Sequence, residues 1–332
     1  MKAAILENVG APLRISNATL PELGGKEVLV KLAYAAINHR DIYISKGLYA
    51  GIQTPCILGS DGAGIIEEVG GALNEDWIGK EVIINPNINW GENENFQANT
   101  YQILGMPTNG TFAEYVKVNI DRVHLKPEHL SLKAASALPL AGLTAYRALF
   151  TKGNLIANQK VLINGVGGGV AQFAFQFALA AEVEVYVTSG NAEKLKKAIE
   201  MGAKDGISYK TESWAKDLAK SSGGIDLAID SAGGKGFADL LKVMNPGGTI
   251  VTYGGTRGKV DGLSPQILFW KQLNILGSTM GSDTDFKQML AFVNEKQIEP
   301  TVSKVFPLNE VNEAFDYIEQ EVQFGKVLLE IN

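Results

Sequence analysis

Four glycines within five residues, Gly165 and Gly167–Gly169, have the clearest chemical implication in the sequence. They follow the apolar run VLIN and precede the helix-like run VAQFAFQFALAA. Glycine loses more conformational entropy on folding than any other residue, so this run indicates positive φ angles or close approach of a large group. A strand, a glycine-rich turn and a helix N-terminus together offer backbone N–H groups to phosphate. We predict that the turn binds a dinucleotide pyrophosphate; the alternative is a flexible turn without a ligand.

The end of the next strand distinguishes the two nicotinamide dinucleotides. An NAD site places Asp or Glu there, about 20 residues after the glycines, where the carboxylate binds the ribose 2′-hydroxyl. This sequence has Ser189 instead, with Lys194 one turn into the following helix. A hydroxyl and a cation suit a 2′-phosphate, which a carboxylate would repel. We therefore predict NADPH as the cofactor, although a lysine at such a place is by itself often an ordinary solvated helix residue.

Two different residue patterns along the chain predict the strands and helices that position these residues. Residues 1 to about 125 consist of short β-like runs separated by Gly, Pro and Asn, which indicates a compact, largely antiparallel β domain. From about residue 158, apolar strands alternate with helices, as in a doubly wound parallel α/β sheet. One of these helices has Asn191 as its expected N-cap and Gly202 as its stop. After about residue 281 the sequence is again a mixture of helix-like and strand-like runs, and we expect this tail to complete the first domain.

The composition limits the kinds of partner. The chain has 36 acidic and 30 basic residues, which argues against nucleic acid or an anionic membrane and favours a small molecule. The first residues lack the apolar core of a signal peptide, and no later run is long enough to span a membrane, so we expect a cytoplasmic protein. Cys56 is the only cysteine and there are three histidines, which leaves few ligands for a zinc site of the Cys/His kind.

Several segments together resemble the medium-chain dehydrogenase/reductase superfamily over essentially the whole chain. They are NHRDIYISKGLY (38–49), PCILGSDGAGIIEEVG (55–70), LSLKAASALPLAGLTAYRAL (130–149), the glycine run and the terminal GKVLLEI. The resemblance implies an α/β protein with a GroES-like, β-rich catalytic domain and a Rossmann domain on a six-stranded parallel sheet. It also implies an active site in the cleft between the two domains. We assign residues 1–123 and 282–332 to the catalytic domain, and residues 124–281 to the NADP-binding Rossmann domain.

The metal ligands of the zinc-dependent alcohol dehydrogenases are missing from the matching positions. Those enzymes have Cys at the position of Asn38 and His at the position of Ser60, so the resemblance implies that no catalytic zinc is bound here. They also bind a structural zinc through four cysteines in the lobe that residues 90–110 replace. This segment contains no cysteine.

The stretch NHRDIYISKGLY is similar to the motif of the zinc-independent quinone oxidoreductases. The matching positions are Asn38, Asp41, Tyr43 and Tyr49. His39 and the pair Ser45-Lys46 depart from that motif, as does the long segment 90–110. The zinc-type alcohol dehydrogenase-like proteins that lack zinc are therefore the best subgroup match.

The same correspondence implies the contacts with the cofactor. They are Ser189, Lys194 and Tyr209 for the 2′-phosphate; Gly168, Gly169 and Val170 for the pyrophosphate; Thr144 and Gly254 for the nicotinamide; and Lys326, approaching from the returning tail. A tyrosine after a short strand often only packs, so Tyr209 keeps a purely structural alternative.

Without zinc, the negative charge that hydride transfer creates on an acceptor oxygen needs hydrogen-bond donors. The candidate catalytic donors are the Asn38 amide and the Tyr43 hydroxyl; His39 is an alternative proton donor, and Asp41 is expected to be structural. Quinones and enones delocalise incoming charge, so we predict an NADPH-dependent, metal-free reductase of quinones or α,β-unsaturated carbonyls. Two alternatives stay open: an alcohol or aldehyde dehydrogenase of the zinc-type family, and a non-catalytic NADPH-binding sensor or structural protein.

Residues 273–280, LNILGSTM, are predicted to form the sixth and edge strand of the nucleotide-binding sheet. An unprotected apolar edge strand tends to pair with another strand. The resemblance implies that it pairs with its own copy, and we therefore expect a homodimer.

Overall fold

The structure, a computed structural model, describes residues 1–331 apart from the side chains of residues 72–74. Its strands are β1 (Lys2–Leu6), β2 (Arg14–Asn17), β3 (Glu27–Ala36), β4 (Cys56–Ile57), β5 (Asp61–Val69), β6 (Glu81–Ile84), β7 (Asn87–Ile88), β8 (Gln102–Ile103), β9 (Tyr115–Asn119), β10 (Val123–Leu125), β11 (Lys160–Asn164), β12 (Glu184–Ser189), β13 (Asp205–Ser208), β14 (Ile225–Asp230), β15 (Met244–Thr252), β16 (Asn274–Gly277), β17 (Val302–Pro307) and β18 (Lys326–Glu330). Its α-helices are α1 (His39–Ser45), α2 (Leu132–Ser136), α3 (Pro139–Tyr146), α4 (Gly169–Ala180), α5 (Ala192–Glu200), α6 (Trp214–Ser222), α7 (Phe237–Val243), α8 (Pro265–Trp270), α9 (Asp283–Lys296) and α10 (Val311–Glu319).

The chain divides into two compact units. The first unit contains Met1–Ala141 and Ser282–Asn332, and the second contains Gly142–Gly281. The first boundary therefore falls after Ala141, whereas the sequence places it after residue 123. The difference has a physical cause: α2 packs against β3, β5 and β6 of the first unit.

The first unit is β-rich and mostly antiparallel, which agrees with the predicted GroES-like fold. One sheet has the order β2-β1-β4, and a larger one has the order β10-β6-β5-β3-β18-β17, with β9 also paired to β3. In the larger sheet, Ala36 near the end of β3 pairs with Asp61 of β5 on one side and with Leu328 of β18 on the other. The first residues of β5 and β18 therefore flank the chain where it leaves β3.

The second unit is built on the predicted doubly wound sheet. Its six strands are parallel in the order β13-β12-β11-β14-β15-β16. The strand order reverses beside β11, which has β12 on one side and β14 on the other. Sheets of this kind bind ligands outside the carboxyl ends of the strands at such a switch point. The strand β16 lies at the edge, as predicted for residues 273–280.

Short sequence signals determine where the two helices next to the switch point, α4 and α5, begin. The helix α4 begins at Gly169, directly after the glycine turn. Asn191 caps α5, as predicted, because its side chain accepts hydrogen bonds from the N–H groups of Glu193 and Lys194. The helix ends at Glu200, and Gly202 has a φ of +118°, which favours glycine.

Among the helices of residues 1–331, none is long and apolar enough to cross a membrane.

Candidate cofactor and acceptor sites

The glycine turn lies between the end of β11 and the start of α4. Gly165 has a φ of +77°, a left-handed conformation that side-chain-bearing residues rarely adopt. Gly168 is the N-cap of α4, and a Cβ built on it would meet no described atom within 4 Å. The first N–H groups of an α-helix have no carbonyl partner inside that helix. The turn, with Gly169 and Val170 opening α4, therefore has the space and the donors that a phosphate group needs.

Lys194 brings a cation to the same turn. Its side chain is buried, and a Cβ built on Gly167 would lie only 2.8 Å from its Nζ. The Asn191 cap starts α5 so that Lys194 lies in the first helical turn. The absence of a side chain at Gly167 therefore leaves room for the lysine beside the backbone of the glycine turn.

Ser189 and Tyr209 are neighbours because their strands are parallel and adjacent. Ser189 of β12 pairs with Ser208 of β13, and Tyr209 follows directly. A Cβ built on Gly190 would lie 2.9 Å from the Tyr209 hydroxyl and 2.9 Å from Cε of Lys210. Ser189 is buried, while Tyr209 is 40% exposed. The structure thus brings Tyr209 and Lys210 onto the backbone beside Ser189.

Lys210 is not among the residues predicted from the sequence. It comes directly after Tyr209, where β13 ends beside β12, and its N–H donates to the Ser208 hydroxyl at 3.3 Å. Its position directly after Tyr209, at the end of β13, is the feature of the sequence that could have indicated Lys210 as a second basic residue besides Lys194.

A hydrogen-bonded chain of polar side chains, also not predicted from the sequence, supports the glycine turn. Asn164 donates through Nδ2 to Oδ1 of Asp230 at 2.6 Å and accepts through Oδ1 from the Thr188 hydroxyl at 2.6 Å. That hydroxyl in turn accepts from the N–H of Gly165 at 3.0 Å. Burial raises the pKa of Asp230, while hydrogen bonds from Gly233 and Asn164 oppose the rise. The sequence could have indicated this chain of side chains, because each of them lies at or next to the carboxyl end of a buried strand.

The two residues predicted to lie by the nicotinamide also belong to the second unit. Thr144 is buried, and its hydroxyl lies 3.9 Å from Sδ of Met280. Gly254 follows β15, and a Cβ built on it would lie 2.8 Å from the Ser231 carbonyl oxygen. Their contact with the nicotinamide stays a prediction.

In the first unit, the side-chain amide of Asn38 is held on two sides. Asn38 is the N-cap of α1, and its backbone N–H donates to Oδ2 of Asp41 at 2.8 Å. Its Oδ1 accepts from Nζ of Lys326 at 2.7 Å, and its Nδ2 donates to Oδ2 of Asp61 at 2.9 Å. All of these residues are buried, so the amide has a defined orientation inside the protein.

Asp61 and Lys326 form a buried ion pair whose other hydrogen-bonding groups are also satisfied. Nζ of Lys326 lies 3.0 Å from Oδ2 of Asp61 and donates to the carbonyl oxygen of Ile37 at 3.0 Å. Oδ1 of Asp61 accepts from the N–H of Leu140 at 2.7 Å. The ammonium of Lys326 is thus bound within the first unit, and its predicted approach to the cofactor stays a prediction.

Tyr43 and His39 lie one turn apart on α1. Their ring centroids are 6.2 Å apart, and the Tyr43 side chain is half-buried. Burial, assisted by the negative charge of Glu321, raises the pKa of Tyr43. The surrounding chain and the Lys326 ammonium lower the pKa of His39, against the opposing charge of Glu321, although the residue as a whole is exposed to solvent. The Tyr43 hydroxyl is therefore neutral at ordinary pH and can donate a hydrogen bond.

Asp41 has backbone partners on both oxygens. Besides the N–H of Asn38, it accepts from the N–H of Gly59 at 3.3 Å. Burial raises its pKa to about 6, against the opposing charge of Arg40, whose Nη1 lies 3.9 Å away. These contacts fasten the start of α1 to the chain before β5.

The residues at the two zinc-ligand positions do not fit a zinc ion. Ser60 donates to the Leu104 carbonyl oxygen at 2.7 Å and accepts from Nη1 of Arg40 at 2.6 Å. Asn38 offers a neutral amide oxygen that Lys326 already occupies. Zinc prefers thiolate, imidazole and carboxylate ligands, and it is repelled by adjacent cations. Among residues whose side chains are described, no group of three or more His, Cys, Asp or Glu is placed to hold a metal.

Known proteins match the chain over both units. A family described as zinc-binding dehydrogenase matches residues 169–295, and the alcohol dehydrogenase GroES-like domain matches residues 24–128. A zinc-type alcohol dehydrogenase-like protein of Leptosphaeria maculans is 35% identical over 96% of this chain and 95% of its own length. A quinone oxidoreductase of Mus musculus is 27% identical over 95% of this chain and 92% of its own. The crystal structure of an NAD-dependent alcohol dehydrogenase, 34% identical, superposes with a TM-score of 0.93 and covers 100% of both chains.

Proposed function

The chain belongs to the medium-chain dehydrogenase/reductase superfamily of oxidoreductases, and from this premise we propose that it is an NADPH-dependent reductase of quinones or α,β-unsaturated carbonyls that works without a metal. The single observation that carries the cofactor assignment is the placement of Lys194 across Gly167, with Tyr209 and Lys210 across Gly190. The acceptor assignment follows from the donors available in the first unit.

The second unit supplies the cofactor-binding part of this proposal. The glycine turn offers backbone N–H groups to the pyrophosphate. Ser189, Lys194, Tyr209 and Lys210 offer hydroxyls and positive charge where β12 and β13 end, and residues 188–191 contain no Asp or Glu. A carboxylate there would bind the 2′-hydroxyl of NADH and repel a 2′-phosphate. This donor set supports NADPH over NADH, although some relatives are named NAD-dependent.

When bound, NADPH supplies the hydride. The chain's own residues have a different task, which is to stabilise the negative charge that appears on the acceptor oxygen. We assign this task to an N–H of the Asn38 amide and to the Tyr43 hydroxyl. Both are neutral donors, and the raised pKa of Tyr43 keeps its proton in place at neutral pH.

The weakness of neutral donors supports a particular class of acceptor. A simple ketone concentrates the charge on one oxygen and gains most from a metal ion or another strong electrophile. Quinones and enones spread the charge over a conjugated system. Because the zinc-ligand positions hold Asn38 and Ser60, each bonded to a protein cation, a conjugated acceptor fits this chain better.

The test is a screen of the purified protein for NADPH and NADH oxidation, followed by absorbance, against quinones, enones, aldehydes and ketones, with alcohols tested in the reverse direction. We expect turnover with quinones or enones and a preference for NADPH. Asn38→Ala and Tyr43→Phe should each lower kcat/KM for these acceptors by roughly tenfold to a thousandfold. Alcohol oxidation that requires added zinc would instead support the zinc-type dehydrogenase. NADPH binding without turnover of any acceptor would support the non-catalytic alternative.

A further inference from the structure

We propose that the buried ion pair of Asp61 and Lys326 is a positioning device that fixes the Asn38 carboxamide in one orientation and keeps one of its N–H groups for the acceptor oxygen. The inference rests on the proposed function, in which Asn38 is a donor. It gives Lys326 a role in the first unit, separate from its predicted approach to the cofactor.

The orientation of the amide follows from what each neighbour can do. A carboxamide accepts through its oxygen and donates through its NH₂ group, and rotation by 180° exchanges the two. An ammonium can only donate, so Lys326 holds Oδ1 of Asn38 at 2.7 Å. An ionised carboxylate can only accept, so Asp61 holds Nδ2 at 2.9 Å. In a flipped amide, donor would face donor and acceptor would face acceptor.

One N–H of the amide is left over in this arrangement. The NH₂ group has two hydrogens, and Asp61 accepts one of them. Within the described part of the chain, this is the only hydrogen bond that Nδ2 donates. Asn38 is 8% exposed, and the second N–H is the one that we assign to the acceptor oxygen. The ammonium on Oδ1 also polarises the amide, which strengthens its N–H groups as donors.

The sheet brings the three residues together from distant parts of the sequence. Asp61 is the first residue of β5 and pairs with Ala36, while Lys326 is the first residue of β18, whose Leu328 also pairs with Ala36. Asn38 follows two residues after Ala36, between these two strand starts. Apolar side chains in place of a buried ion pair are often as stable or more stable. Stability alone therefore does not account for the pair, whereas control of the amide does.

The first experiment asks whether the pair acts through Asn38. The double variant Asp61→Asn/Lys326→Met removes both charges and so leaves no buried charge without a partner; Lys326→Arg keeps a donor-only cation. Each is made in the natural chain and in the Asn38→Ala background, and kcat and KM are measured with a quinone acceptor. We expect the double variant to lower kcat roughly tenfold to a hundredfold in the natural chain and less than twofold in the Asn38→Ala background. We expect Lys326→Arg to retain most of the activity. Equal losses in both backgrounds would overturn the proposal.

The second experiment reads the amide directly and does not depend on turnover. The protein is labelled with ¹⁵N-asparagine, and the Asn38 NH₂ signals are assigned by their loss in Asn38→Ala. We expect two well-separated proton shifts in the natural chain and in Lys326→Arg, and a collapse toward the shifts of an unconstrained amide in Asp61→Asn/Lys326→Met. Unchanged signals in the double variant would overturn the proposal. A protein that turns over no acceptor but shows this collapse would contradict the proposed function and still support the positioning.

Discussion

The side chain of Lys194 lies across Gly167, so that a Cβ on this glycine would be 2.8 Å from the lysine Nζ. The lysine is buried against the glycine turn, where its charge is poorly screened by water. We predict that Lys194→Ala weakens NADPH binding by about 1–3 kcal/mol and leaves NADH binding nearly unchanged. Cofactor fluorescence titration measures both affinities. Lys196→Ala, at an exposed position of the same helix, is the matched control and should change neither.

Gly167→Ala tests the same relationship from the glycine side. The methyl group has to displace the flexible end of Lys194, so we expect lower NADPH affinity with little change in the thermal unfolding midpoint. NADPH affinity equal to that of the natural chain in both variants would contradict the assignment of this turn to the 2′-phosphated cofactor.

The residues around Gly190 give a prediction about cofactor preference. Ser189→Asp places a carboxylate beside Tyr209 and Lys210, where it can bind a ribose 2′-hydroxyl and repel a 2′-phosphate. We expect the ratio of NADPH to NADH affinity to reverse in this variant. Lys210→Ala should lower NADPH affinity severalfold, while Lys216→Ala, an exposed lysine on α6, serves as its control. A preference that stays the same in Ser189→Asp would place the 2′-phosphate elsewhere.

The buried carboxyl of Asp41 gives a pH-dependent prediction. Burial raises its pKa to about 6, above the value of about 3.9 expected in the unfolded chain. The folded protein therefore binds this proton more tightly, so its stabilising contribution is complete below about pH 4 and is lost as the pH rises through 6. Asp41→Asn removes this titration. Relative to the natural chain, the variant should gain up to about 2–3 kcal/mol of stability between pH 4 and pH 7. Paired thermal unfolding curves across this range test it; a constant difference between the two proteins would contradict the raised pKa.

Two protein cations underlie the prediction of metal-free catalysis. Arg40 donates to Ser60 and Lys326 donates to Asn38, at the positions where zinc-dependent relatives place ligands. We expect exhaustive chelation to leave the quinone or enone reductase activity unchanged. Metal analysis after incubation with zinc and gel filtration should give far less than one zinc per chain. Activity lost on chelation and restored by zinc would overturn the metal-free proposal.

Much of the second unit could be predicted because its signals are local. The VLIN strand, the glycine turn, the start of α4 and the Asn191 cap each depend on a few consecutive residues. The position of β16 at the sheet edge follows from the alternation of strands and helices. Lys210 was not predicted because its approach to Gly190 depends on the pairing of β12 with β13.

The surroundings of Asn38 in the proposed acceptor site were harder to predict because its contacts are not local. Asn38 could be named from the resemblance, but its two partners come from the starts of β5 and β18, which meet only in the order β5-β3-β18. Lys326 is separated from Asp61 by 265 residues along the chain. Likewise, the boundary after Ala141 depends on the packing of α2 against the sheet of the first unit. The change from β-like runs to alternating strands and helices along the sequence does not indicate this packing.

The edge strand β16 gives the final prediction, that the protein is a homodimer. Its far side has no neighbouring strand in the described chain, and Leu276 on it is 36% exposed. The preceding helix α8 exposes two large aromatic residues, with Phe269 65% and Trp270 82% exposed. An apolar edge with adjacent exposed aromatic side chains tends to pair with another protein surface.

We expect sedimentation at micromolar concentration to show a dimer. Leu276→Lys should shift the protein toward monomer, because a lysine on an edge strand opposes strand pairing. Ile199→Lys, which adds the same charge at an exposed apolar position of α5, should leave the dimer intact. A monomer in the natural chain, or equal effects of the two lysine variants, would contradict an interface at β16.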